Sequence, residues 1–479
     1  MICDLFDGFP HLLFGARPER GKRRVFLSAE QIRSQSVPMN QPEEHGGLDG
    51  CNMNGKLPLH SVKKFYFLEY FYVLLKSVEN HSDKAHVFDS FKNLKQAQRL
   101  GESKYKKLTS EEELTKHRLN RYFFTFVQVI DEAKQYELVK EENSSLRLTD
   151  QGKKLISMYQ EEGSVRFTRV LFELMERNYN AFRYLIDLFY RANRYRPGFL
   201  IFPNYSPRQL HFERSAVRTS RDIIEYSEKL VVRLQQDIKE FLGLERDLRN
   251  ENKKLLSRLR ESNLLPQSNS AQFAQGKYNV ITKRFRDHWM NYFLKQIYGY
   301  EASLSSFDIW TYRGKQIGII HATEFYPGFN GRIVYPTSVL RESTKSKDFQ
   351  RLYEYDDGVG LYVHEPDEED SDNRDEFVDR LVKGYFKLRG FSRSYFVNLA
   401  ALREIVCLDM KISEHVFETF LNSIYRLVLA SQLKVQISLE VDKLPEETQA
   451  MYLKQEPVMV DGKYRNIIAI DVTKGDKAK

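Results

Sequence analysis

Residues Glu113 to Leu155 read ELTKHRLNRYFFTFVQVIDEAKQYELVKEENSSLRLTDQGKKL. Leu119, Phe123, Phe126, Val127, Ile130 and Ala133 recur every three or four positions and predict the apolar face of a helix. Thr109-Ser110 followed by Glu111, Glu112 and Glu113 gives that helix a capped start, with a hydroxyl for the open N–H groups and carboxylates in the first turn. A strand is then expected from Tyr136 to Lys140, a polar turn from Glu141 to Ser145, and a second strand from Leu146 to Thr149. A new helix is entered through Asp150-Gln151-Gly152. Lys116, Arg118, Asn120 and Arg121 gather at the start of the first helix, where a groove-reading helix reaches phosphates and base edges. The plainer reading is a solvated polar face on a helix packed into a core.

The order helix, strand, turn, strand, closed by Leu148-Thr149-Asp150-Gln151-Gly152, resembles the winged helix-turn-helix superfamily, many of whose members carry LT-x-x-G after the wing. The resemblance implies a duplex-DNA partner. Lys104, Lys106, Lys107, Lys116, Arg118 and Arg121 would anchor phosphates and read the groove, with Asn120 beside them and Arg147 on the wing. Winged helices also serve as protein-docking modules.

Composition sets the limits around this stretch. The 479 residues allow two to four domains, and 41% hydrophobic with 29% charged residues fits a globular chain. Aromatics reach 13%, with 33 Phe and 28 Tyr against 2 Trp, so large rings must fill the cores. A net charge of +8 suits a polyanionic partner without demanding one. Cys3, Cys51 and Cys407 are too few and scattered for a zinc finger or a disulfide framework, and a reducing, cytoplasmic setting is expected. No apolar run reaches the roughly 18–20 residues that span a bilayer, so no membrane partner is expected.

In chain order, residues 1–54 lack periodicity and are expected to be a disordered arm or an over-extended reading frame. A first winged-helix domain occupies 55–162, with a buried helix from Pro58 to Val78. Residues 163–265 form a helical region. Its loop after Pro197-Gly198 mixes arginines with Phe199, Phe202 and Tyr205, a pattern that suits nucleic acid but more often packs on a helical core. From Ser220 the apolar spacing continues for about 40 residues, longer than most globular helices, which predicts a coiled coil or one arm of a helical hairpin and hence a homo-oligomer or complex subunit. Gly243 and Asn252 are its weak points.

A mixed α/β block follows at 276–363, with a short helix around Lys283 to Trp289. IWTYRGKQIGII is read as a hairpin turning at Arg313-Gly314-Lys315, and further strands are expected at Arg332 to Tyr335 and Gly360 to Val363. Asp308 and Glu324 are candidate carboxylates for a metal-dependent nuclease. The lysine that should follow the second carboxylate is missing, and His321 reads as a structural or surface histidine rather than a ligand. An acidic linker at 364–376 leads to a second winged-helix domain at 377–474. There Ser413 caps the helix after the turn Met410-Lys411-Ile412-Ser413, and Leu433 to Val441 with Ile467 to Val472 would form the wing. Its groove helix opens with Glu414, His415 and Glu418; carboxylates repel phosphates, so this copy reads as a protein-docking module.

No phosphate loop, dinucleotide fingerprint, H-E-x-x-H, G-x-S-x-G or paired C-x-x-C occurs, so no cofactor, metal or catalytic residue is assigned. The expected fold is mainly α with small β-wings (α+β), multi-domain, with two winged-helix domains flanking a helical and coiled-coil region and a small mixed block. The expected function is that of a non-enzymatic DNA-binding or assembly protein, regulatory or part of a bacterial DNA-processing or defence system, with a protein partner at the coiled coil and C-terminal domain. A subunit bridging an ATPase complex, similar in layout to kleisins, and a nuclease or restriction-type effector are the alternatives.

Overall fold

The computed structural model describes residues 63–93, 116–191, 199–203, 219–272, 277–390, 394–441 and 458–472, except 325, 330 and 434, with backbone alone at 116–119, 121, 162–166 and 191. The arm 1–54 lies outside these residues. The described chain mixes helices with small antiparallel sheets.

Helix α1 (Glu69–Asn80) buries six successive residues, Tyr70 to Leu75, which places it inside its module rather than on the surface. It begins later than the sequence suggested. Asp83 then forms a single β-bridge to Ser145, before α2 (Lys84–Asn93) and α3 (Lys116–Gln135). Strands β1 (Val139–Glu142) and β2 (Ser145–Leu148) pair antiparallel, and Asn143 and Ser144, both at positive φ, close the hairpin. The expected helix–hairpin–helix order is therefore present, with the turn narrowed to two residues. In α3 the buried stripe is Phe126, Val129, Ile130 and Ala133; Phe123, expected inside, stays 41% exposed.

The threonine and glycine after the hairpin have a direct physical role. Thr149 accepts a hydrogen bond from Gly152 N (3.1 Å), capping α4 (Asp150–Asn178), and its hydroxyl donates to Glu137 O (2.5 Å). A Cβ at position 152 would lie 2.2 Å from Leu138 O, so only glycine lets the helix start against the hairpin.

After α5 (Asn180–Ile186) and a π-helical turn, strand β3 (Leu200–Pro203) is buried along its whole length. It belongs to the sheet of the central block, so the boundary drawn at 276 is crossed by a strand from before the long helix. That long helix is two helices. Gly243, at φ 64°, ends α6 (Ser220–Leu242), and α7 (Arg249–Glu261) lies back along it, with Asn252 Nδ2 donating to Ser227 Oγ at 3.0 Å. The stripe Ile223, Tyr226, Leu230, Leu234 and Ile238 is thus buried within this chain.

Helices α8 (Lys277–Tyr292) and α9 (Leu304–Ile317) follow. The hairpin expected at Arg313-Gly314-Lys315 is instead part of α9. Ser303 caps its start, Gly318 (φ 86°) its end, and Gly314 lets Ile320 pack where a Cβ would meet the isoleucine at 2.5 Å. The β-branched and aromatic residues that suggested a strand form the buried side of this helix, Ile309, Trp310 and Ile317 among them. Strands β4 (Ile320–Thr323) and β5 (Gly331–Pro336) complete a sheet in the order β3-β5-β4, and β6 (Ser338–Arg341), β7 (Phe349–Glu354) and β8 (Gly360–His364) form a second, β6-β8-β7.

The acidic run is shorter as a linker than expected. Asp370 caps α10 (Ser371–Arg389), which takes up its second half. Then come β9 (Val397–Asn398), α11 (Leu399–Met410) and α12 (Glu414–Leu429), with Ser413 accepting from Val416 N as its sequence position suggested. Strands β10 (Val435–Glu440) and β13 (Ile467–Val472) enclose a small hairpin of β11 (Val458–Val460) and β12 (Lys463–Arg465). Among the described residues two regions share an element order: a helix, an extended step (the Asp83 bridge in one, β9 in the other), two helices and an antiparallel strand pair, with the β11–β12 hairpin inserted in the second pair. In each, the last strand lies between the other two.

Candidate functional site

The first end carries the cations singled out in the sequence. Lys116, Arg118 and Arg121 belong to the opening turns of α3, with side chains outside the described residues, as are Lys104, Lys106 and Lys107 altogether. Asn120 is exposed, and so, by 41% and 43%, are the neighbouring rings of Phe123 and Phe124. Phe123 reaches back to Phe88 edge-on at 5.3 Å, which anchors one side of the ring. Arg147 is exposed on β2 but shares Glu142 with Lys140, at 3.3 and 2.8 Å, while Glu141 binds Lys84 and Lys134. Those lysine hydrogen bonds hold both carboxyls below the usual range. The hairpin is therefore charge-balanced.

The second end is arranged differently. The start of α12 is turned into the molecule. Glu414 Oε1 meets Lys315 Nζ of α9 at 3.0 Å and Arg403 Nη2 of α11 at 3.3 Å. Glu404 binds Arg403 (3.0 Å) and His321 Nε2 of β4 (3.1 Å), and both Arg403 and His321 are buried. Burial pushes the two carboxyls up, but Arg403 beside them, with Lys315 and His321, more than reverses this and holds both low. Burial raises the nearby Cys407 thiol and Tyr335 hydroxyl instead. The turn before α12 is also held: Lys411, its ammonium pulled down to about 8 by burial, lies 5.0 Å from the Tyr335 ring centre and 5.7 Å from that of Phe199. His364 Nδ1 lies 3.3 Å from Lys411 O. Glu414 thus faces cations of its own chain, not solvent, while His415 beside it is exposed.

One nitrogen of His321 and one oxygen each of Glu404 and Glu414 lie within 4.8 Å of one another, a spacing that could surround a metal ion. The wider set of charges does not fit one. Two carboxylates already meet two cations at hydrogen-bonding distance, and a divalent ion would have to displace them, leaving the buried Arg403 guanidinium without its carboxylates. The cluster is a balanced ion network that joins the central block to the C-terminal helices.

Asp308 and Glu324 do converge, as the nuclease reading required, but on Arg332, at 2.6 and 2.9 Å. The guanidinium occupies the place between them that a catalytic cation would need. A further pair, Glu132 with Arg313, ties α3 to α9; both side chains are 0% exposed. The sequence pairs Asp308 with Glu324 but does not show Arg332 between them; the other two networks are not evident in the sequence, because they join Lys315 to Glu414 across 99 positions and Glu132 to Arg313 across 181. Among the described residues no helix is long and apolar enough to cross a membrane. No protein-family model, curated protein or solved structure matches the chain.

Proposed function

We propose that this chain is a non-enzymatic DNA-binding and assembly protein built on two winged helix-turn-helix modules that are used differently. The first grips duplex DNA with the opening turns of α3; the second is a docking piece held against the central block. The observation that carries this is the repeated element order combined with the opposite fate of the two groove helices. Glu414 at the start of α12 is tied into a buried ion network, whereas α3 has Asn120, Phe123 and Phe124 exposed near its start. Lys116, Arg118 and Arg121 would supply the phosphate contacts.

The test is a titration of labelled duplex DNA at several salt concentrations. Reversing Lys116, Arg118 and Arg121 to Glu should abolish tight binding. Neutralising them to Gln should reduce the salt slope by about 0.9 for each phosphate that is no longer neutralised. Unchanged affinity and slope would overturn the proposal. A protein partner for the same face is the second reading, favoured by the exposed Phe123 and Phe124 and the charge-balanced hairpin. A partner that stays bound in a pull-down from the native cell after nuclease treatment, and dissociates on Phe124→Ala, would select it.

A further inference from the structure

Residues Arg380 to Phe396 read RLVKGYFKLRGFSRSYF, in which cations and aromatic rings alternate and no carboxylate occurs. The earlier cations of this run are paired on α10, Arg380 with Glu376 at 3.3 Å and Lys383 with Asp379 at 2.6 Å. Lys387 and Arg389 have no carboxylate partner among the described residues. Each lies over a ring instead, Lys387 Nζ 5.8 Å from the centre of Tyr326 and the Arg389 guanidinium 4.3 Å from that of Tyr395. Phe386 is 50% exposed and Tyr395 69%, large values where most aromatic rings among the described residues are buried.

The platform beneath them is fixed. Tyr385, fully buried, donates its hydroxyl to Tyr395 O at 2.7 Å, so the backbone of Tyr395 is pinned while its ring stays open. Gly384 lets α10 approach Leu402, whose Cδ1 lies 2.8 Å from where a Cβ would stand. Open ring faces beside cations that have no acid to neutralise them offer stacking for bases and contacts for phosphates together. A duplex keeps its base faces stacked inside, so it can use only the cations.

We propose that the surface of Phe386, Lys387, Arg389 and Tyr395 binds single-stranded nucleic acid. It is separate from the duplex-binding role proposed for α3. The test is fluorescence anisotropy of the full chain with labelled oligo-dT, oligo-U and a duplex, with polyglutamate as competitor. Oligo-dT, oligo-U or both should bind. The double variant Phe386→Ala/Tyr395→Ala should weaken that binding on the order of 10-fold or more. Lys387→Gln/Arg389→Gln should lower the salt slope by about 1.4, at about 0.7 per phosphate contact on a single strand. The α3 charge-reversal variant should keep its single-strand affinity, so failure of one site is distinguishable from failure of the other. All four side chains are on the surface, and an unchanged circular-dichroism melt would show that the variants fold. Absence of single-strand binding, wild-type affinity in the ring variant, or equal competition by polyglutamate would overturn the proposal.

Discussion

Replacing Arg313 by Met should destabilise the region where α3 meets α9, by an amount the geometry sets. The guanidinium is fully buried and bonds both oxygens of Glu132, Nη1 at 2.7 Å and Nη2 at 2.9 Å. Nη2 also donates to Phe65 O at 3.2 Å, and the plane lies 4.5 Å from the Phe65 ring centre. Removing it leaves the Glu132 carboxylate in the core, with the Tyr136 hydroxyl still donating to it at 2.7 Å but no cation to balance its charge. An uncompensated buried charge costs about 3–5 kcal/mol, while an apolar replacement of the whole pair is often neutral or better. The double variant Glu132→Met/Arg313→Met should therefore recover part of the loss, retaining about 1–3 kcal/mol from the orphaned Phe65 carbonyl and Tyr136 hydroxyl together. Urea unfolding followed by Trp310, whose ring centre is 4.9 Å from the guanidinium, would read this locally in a Trp289→Phe background. A loss below about 1 kcal/mol for Arg313→Met, or a double variant no better than the single, would refute the reasoning.

Further outcomes follow from other parts of the fold. Gly152→Ala should cost about 1–3 kcal/mol, because the added carbon meets the Leu138 carbonyl, and urea unfolding would measure it. Ser413→Ala should cost about 1 kcal/mol by uncapping α12, read by the same assay. Glu404 and Glu414 are held below the pKa they would have in the unfolded chain, so their contribution to stability is present above the ordinary carboxylate range near pH 4.5 and is lost as pH falls through their folded values. The protection of α12 against hydrogen exchange, corrected for the intrinsic rate at each pH, should accordingly fall on acidification, and Glu414→Gln should flatten that pH dependence.

The helix–hairpin–helix of the first module is legible in the sequence because each step has a local cause: the 3.6-residue stripe of α3, the polar turn, and a threonine and glycine whose roles are met within a few residues. The Ser413 cap is legible for the same reason. The α9 segment is not, since Ile309, Trp310, Tyr312 and Ile317 favour strands when exposed to water, and only packing on both sides makes them a helix. The long helix breaks at Gly243, one of its weak points, because α7 gains more by covering the apolar side of α6 than by extending it. The ion networks are illegible in principle. Nothing in the sequence pairs Lys315, His321, Arg403 and Glu414 until β4, α9, α11 and α12 are brought together.

Hydrogen–deuterium exchange of the full chain, with and without saturating duplex DNA, tests the unequal use of the two modules most directly. The account predicts slowed exchange over the opening turns of α3 and no change across α12. Protection of α12 with none at α3 would contradict it.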